Sequence, residues 1–142
     1  MNANYKNSYK TTEKELVSLS VYNTGFQKCH PLYQWGPGVR DHYLIHHVIA
    51  GKGCLSVNRK TYALSGGDSF LIYPGAEVSY TADAKEPWEY AWVGFNGSDA
   101  PILLKATDFT PDHPVIAKTP YGSEIAHQMR HIYDLRGNDF ES

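Results

Sequence analysis

Cysteine is scarce in this chain of 142 residues, with only Cys29 and Cys54 present. Two cysteines exclude a disulfide framework and a cysteine-rich zinc site. Read as reduced thiols, they fit a cytoplasmic setting. A basic excess is missing as well: Lys and Arg total 13 against 15 Asp and Glu, for a net charge of -2. Direct binding to nucleic acid needs concentrated positive surface, and no run of Lys or Arg supplies it. No apolar stretch approaches the ~20 residues of a membrane span. The opening Met1-Asn2-Ala3-Asn4-Tyr5-Lys6 is polar rather than signal-like, so no membrane partner is expected. There is no Gly-x-Ser-x-Gly elbow, and neither cysteine lies in an activating motif. Glu77, Glu86 and Glu89 fall beside turns or opposite the aromatic face described below, where solvated surface groups are expected.

What the chain does have is aromatic side chains, with 3 Trp, 11 Tyr and 5 Phe, set among short strands and strong turn signals. Residues 1–14 are polar and aperiodic, which predicts a flexible arm over 1–15. Leu16 to Tyr22 alternates and predicts a first strand. Gly25-Phe26, Cys29-His30-Pro31 and Trp35-Gly36-Pro37-Gly38 then read as a loop-rich passage. Val39 to Ile49 is the longest strand candidate, closed by Gly51-Lys52-Gly53. Cys54 to Asn58 and Thr61 to Leu64 flank Arg59-Lys60 at hairpin spacing. Gly66-Gly67-Asp68 and Pro74-Gly75 frame a strand over Ser69 to Tyr73, and strands over Val78 to Ala82 and Trp88 to Phe95 follow. This spacing predicts a mainly β, antiparallel barrel or sandwich over 16–97 rather than βαβ units. Beyond it, Ser98 is placed to cap a short helix through Ile102-Leu103-Leu104. Thr119-Pro120 opens another, with Ile125, Met129, Ile132 and Tyr133 in one stripe. Residues 98–142 thus read as a helical segment for packing or dimerisation. The chain ends just after this pattern, as a piece of a longer protein would.

The run Trp35-Gly36-Pro37-Gly38-Val39-Arg40-Asp41-His42-Tyr43 is followed by Gly51-Lys52-Gly53, then by Gly67 to Gly75, then by Trp92-Val93-Gly94-Phe95. In that order they resemble the effector-binding half of AraC-type transcription regulators. The branch controlling the use of sugars such as raffinose and melibiose is most similar. The resemblance implies a cupin (jelly-roll-like) barrel followed by C-terminal helices, a sugar effector inside, a homodimer and an arm that folds over the ligand. DNA would be reached only through a C-terminal helix-turn-helix module that these residues do not include. No cofactor is implied. Metal-dependent cupins hold their ion at positions that fall here near Pro37, Val39, Leu44 and Val78, none of which has a ligating side chain. His30, His42, His46 and His47 lie nearby, although adjacent residues of a strand point to opposite faces. Two alternatives remain open: a small metal-dependent cupin enzyme, such as a sugar isomerase or dioxygenase, and a stand-alone carbohydrate-binding module.

Sugars show an apolar C–H face and a ring of hydroxyls, so their sites join aromatic plates to a few directed polar groups. Period-two alternation puts Trp88, Tyr90 and Trp92 on one strand face. The resemblance makes Trp92 the sugar plate, Tyr90 a ligand contact where a relative has histidine, and Tyr80 a matching sugar-contacting tyrosine. Arg40 offers fixed guanidinium donors, with a surface ion pair to Asp41 or Glu89 as the alternative. Trp35 is expected at the barrel mouth or a subunit contact. His46 is expected to point inward beside Leu44, as a ligand group or a satisfied structural histidine. His30 completes the candidate set, and core filling is the competing reading for Trp92.

Overall fold

A computed structural model describes residues 5–10 and 19–118. The stripe Ile125, Met129, Ile132 and Tyr133, with the helix expected to carry it, lies outside the described residues, as do Leu16 to Ser18. The chain forms antiparallel strands β1 (Tyr5–Lys10), β2 (Ser20–Lys28), β3 (Gln34–Val39), β4 (Tyr43–Ala50) and β5 (Lys52–Val57). After them come β6 (Lys60–Ser65), β7 (Ser69–Ile72), β8 (Glu77–Ala82) and β9 (Glu89–Asn96), then a short helix α1 (Ala100–Leu104) and β10 (Val115–Ile116). They make two facing sheets, a six-stranded one ordered β1-β2-β9-β4-β7-β10 and a four-stranded one ordered β3-β8-β5-β6. The expected mainly β, antiparallel barrel is the architecture observed.

Turn chemistry sets the strand breaks. Asn58 and Arg59 both have positive φ, 53° and 64°, the backbone of a two-residue turn whose twist matches the β5–β6 hairpin. At Gly66-Gly67-Asp68 the buried Asp68 carboxylate accepts from Ser65 N at 2.8 Å and from Lys118 N at 2.9 Å. Gly67 beside it sits at φ 98°, a conformation that favours glycine. One carboxylate thus closes the turn and anchors the chain as it leaves β10.

Several elements depart from the sequence pattern. The arm expected over 1–15 contains β1, whose backbone pairs with β2 from Tyr5↔Lys28 to Lys10↔Asn23. The first barrel strand continues to Lys28, through Gly25-Phe26, because β9 supplies partners along its length, Gly25 lying opposite Trp92. Trp35-Gly36-Pro37-Gly38, expected as loop, lies in β3, at the edge of its sheet. The ladder with β8 shifts register between Trp35 and Gly38, so proline, which lacks an N–H, falls where no ladder partner is needed. The N-cap of α1 is Asp99 rather than Ser98, with no side-chain cap bond and with proline in the first turn. Within the expected helical segment 98–142, Val115–Ile116 pair with β7 instead, covering an edge that would leave backbone groups unpaired.

The core lies between the sheets. Leu44, His46 and Val48 face it from β4, joined by Leu55, Phe70, Val78, Tyr80, Trp88, Tyr90 and Trp92. The other face of β4 is also covered: Tyr43 and Ile45 pack with Leu71, Leu104 and Phe109 beneath α1. His47 on that face is buried, its Nδ1 2.8 Å from Ser69 Oγ. Both faces of β4 are therefore partly apolar in sequence, and both are packed along most of the strand, with Ile49 and Ala50 at its end exposed.

Candidate ligand-binding site

Register places the candidate side chains. Across β9-β4-β7, Trp92 lies opposite His46 and His46 opposite Phe70. In the facing sheet, Trp35 lies opposite Tyr80. The His46 ring stacks on Phe70 with centroids 4.5 Å apart and meets the Tyr90 and Tyr80 rings edge-on at 4.7 and 4.9 Å. Tyr90 touches Trp92 at 6.0 Å and Trp88 at 5.6 Å. The interior is an aromatic ladder with His46 at its centre.

Both inner phenols are held neutral. Burial pushes Tyr80 up to about 12, against the lowering effect of the nearby Arg40 guanidinium. Burial also raises Tyr90 well above the ordinary tyrosine value, with Tyr80 and Cys29 adding to the effect. Each phenol therefore offers a hydroxyl to a ligand, not a charge.

Arg40 ties this interior to the surface. Its guanidinium carbon lies 4.0 Å from the Trp35 ring centroid, and Nη2 donates to Tyr80 Oη at 3.2 Å. Trp35 in turn stacks on Tyr80, with centroids 5.5 Å apart and planes 15° from parallel. Gly38 makes that placement possible, since a Cβ there would come within 2.8 Å of the indole. Outside this trio opens a polar cavity of about 420 Å³, lined by Tyr22, Asn23, Trp35, Arg40, Asp41 and His42 among others. His42 is buried, its ring lies tilted against Tyr22 with centroids 4.2 Å apart, and its Nδ1 is 2.9 Å from Asp41 Oδ1.

Six of the seven sequence candidates meet in one continuous structure: Trp35 and Arg40 at the mouth, with His46, Tyr80, Tyr90 and Trp92 behind them. His30 does not join them. It is exposed between β2 and β3, with Nδ1 3.0 Å from the Pro31 carbonyl oxygen and its ring edge-on to Tyr33. Sequence reasoning missed Asn23 and Tyr22 as mouth residues, and placed His42 only among nearby histidines. The signal that bears on Asn23 and His42 is Gly94, where a Cβ would press on the Asn23 side chain and lie 3.0 Å from His42 Cδ2. Among the described residues, no three His, Cys, Asp or Glu side chains gather where they could hold a metal.

This two-sheet barrel matches known proteins in fold and in family. A cupin 2 conserved barrel domain protein from Salinispora arenicola superposes with a TM-score of 0.53 at 12% identity, over 75% of this chain and 87% of that one. Residues 20–141 match the AraC-like ligand binding domain family, and the chain belongs to it. The Msm operon regulatory protein of Streptococcus mutans is 41% identical over 102 residues, 72% of this chain and 37% of that protein. The raffinose operon transcriptional regulatory protein RafR of Pediococcus pentosaceus is 37% identical over 90 residues, 62% of this chain and 32% of that protein. The chain thus spans only about a third of the length of these curated relatives.

Proposed function

We propose that this chain is the sugar-sensing domain of a cytoplasmic transcription regulator that controls carbohydrate-utilisation genes. Its family and its similarity to sugar-operon regulators support the sensing role. DNA would be contacted by a helix-turn-helix module outside these residues, and a homodimer would pair two such modules. The observation that carries the sugar reading is Arg40, whose guanidinium is held between the Trp35 plate and the Tyr80 hydroxyl at the edge of an open polar cavity. A cavity of about 420 Å³ is of the size that takes small ligands. Indole plates beside fixed donors suit a pyranose better than they suit a flexible apolar molecule.

A pyranose entering here meets Trp35 and Arg40 first. Tyr80, Tyr90, His46 and Trp92 are already in ring contact behind them, so deeper entry requires Trp35 or Tyr80 to move. That requirement links occupancy to barrel packing. A ligand that binds one arrangement more tightly shifts the population toward it, and the attached module reads the shift.

A thermal-shift screen against mono-, di- and trisaccharides, including raffinose and melibiose, tests the reading. A sugar at 100 times its Kd adds about 2.7 kcal/mol of stability, a shift of several degrees in a domain of this size. Trp92→Ala should abolish or sharply reduce the shift. A full response in that variant removes Trp92 as the inner plate, and no response to any sugar removes the sensor reading.

A further inference from the structure

The mouth cavity contains a polar arrangement that the aromatic site does not account for. Asn23 Oδ1, Arg40 Nε and His42 Nε2 are all buried, and none has a hydrogen-bond partner among the described residues. All three belong to side chains that line the same cavity. They come from β2 and from the turn before β4, and two of them, Asn23 and His42, converge over Gly94. A Cβ there would press on Asn23 Oδ1 and lie 3.0 Å from His42 Cδ2, the carbon bonded to Nε2. Buried polar atoms without partners destabilise a fold. Three around one cavity indicate a ligand that completes them.

The chemistry of that ligand follows from the atoms. His42 Nδ1 lies 2.9 Å from Asp41 Oδ1, and a carboxylate only accepts, so the ring proton is on Nδ1. In the neutral ring Nε2 is then an acceptor, as Asn23 Oδ1 is, while Arg40 Nε can only donate. Two acceptors and one donor do not suit a carboxylate or phosphate, which brings acceptors alone. The exposed Asp41 carboxylate at the rim disfavours anions further. Adjacent hydroxyls fit, because each both donates and accepts.

We propose that Asn23, Arg40 and His42 form a subsite for a vicinal diol of a neutral sugar. Asn23 Oδ1 and His42 Nε2 each accept one hydroxyl proton, and Arg40 Nε donates to the oxygen of one of them. This rests on the carbohydrate-sensor reading and adds to it which hydroxyls select the effector and which side chains read them. The apolar flank is supplied by the Tyr22 ring, packed 4.2 Å from His42.

The test uses Asn23→Ala and His42→Phe, the second keeping a ring against Tyr22. Melting is recorded without ligand, and Kd is measured by calorimetry for the saccharide giving the largest wild-type shift and for its monodeoxy analogues. Each variant should bind about tenfold more weakly, the size of one lost hydrogen bond. The unliganded melting temperature should stay level or rise, because an unpartnered buried atom has been removed. One deoxy analogue should bind wild type poorly yet lose nothing further in Asn23→Ala. Variants that bind sugar like wild type overturn the subsite and leave the sensor reading standing. Variants that melt well below wild type without ligand make the residues structural and overturn it too. A wild-type protein that binds no saccharide in the panel removes both proposals.

Discussion

Arg40 works in two environments at once. Its planar guanidinium lies over Trp35 and donates to Tyr80, while Nε has no partner among the described residues. Lysine cannot reproduce that set, since an ammonium has neither the flat face nor the fixed fork. Arg40→Lys should therefore behave nearly like Arg40→Met: each should lower stability by about 1–2 kcal/mol through the lost stack and hydrogen bond, and each should remove the sugar-induced melting shift. Urea unfolding with and without saccharide checks both halves. A lysine variant with a full sugar response would mean that charge alone suffices. The rings behind Arg40 are legible in sequence because period two puts Tyr90 and Trp92 on one face, and the family resemblance adds Tyr80 and Arg40. Asn23 and His42 are not legible that way. Their convergence depends on β2 pairing with β9 and β9 with β4, and a missing side chain at Gly94 is the only local trace.

At the scale of elements, the hairpins are the parts that local chemistry decides. The β5–β6 turn holds Arg59 at φ 64°, a left-handed conformation that costs an L-residue about 1–2 kcal/mol, a penalty glycine escapes. Arg59→Gly creates the Asn–Gly pair that such turns favour. Allowing for the extra freedom glycine brings to the unfolded chain, it should raise stability by about 0.5 kcal/mol. A shift in urea midpoint at unchanged slope checks this, and a fall would mean that the arginine side chain contributes at the turn. The hairpin register is readable in sequence to within one residue, with the turn at Asn58-Arg59 where the pattern predicts Arg59-Lys60. β3 is not readable, because Gly36 and Pro37 argue against a strand until an edge position and a register shift accommodate them. β10 is two residues long and exists because the β7 edge needs a partner, a demand that arises only once the sheet has formed.

For the whole molecule, the consequence of an aromatic interior is a fixed upper limit of pH. Unfolded tyrosine loses its proton near 10.0, whereas Tyr80 in the barrel keeps it to about 12, and Tyr90 is raised as well. Below pH 10 both states carry these protons, and the stabilisation is fully present. Between pH 10 and 12 the unfolded chain has released a proton that the native chain still binds, so stability must fall as pH rises. A shift of two units for Tyr80 corresponds to roughly 3 kcal/mol, and Tyr90 adds to the loss in the same direction. Urea midpoints at pH 9, 10.5 and 12 should decline accordingly. Phenolate absorbance from these two side chains should appear only with unfolding. Tyr80→Phe should start about 1 kcal/mol less stable at neutral pH, having lost the Arg40 bond, and should then decline less steeply above pH 10. Because a bound saccharide draws on the same interior, it should move the whole alkaline curve upward without changing the pH at which the decline begins. A flat wild-type profile from pH 9 to 12 would mean that water reaches the phenols, and that the barrel is open where the structure shows its rings in contact.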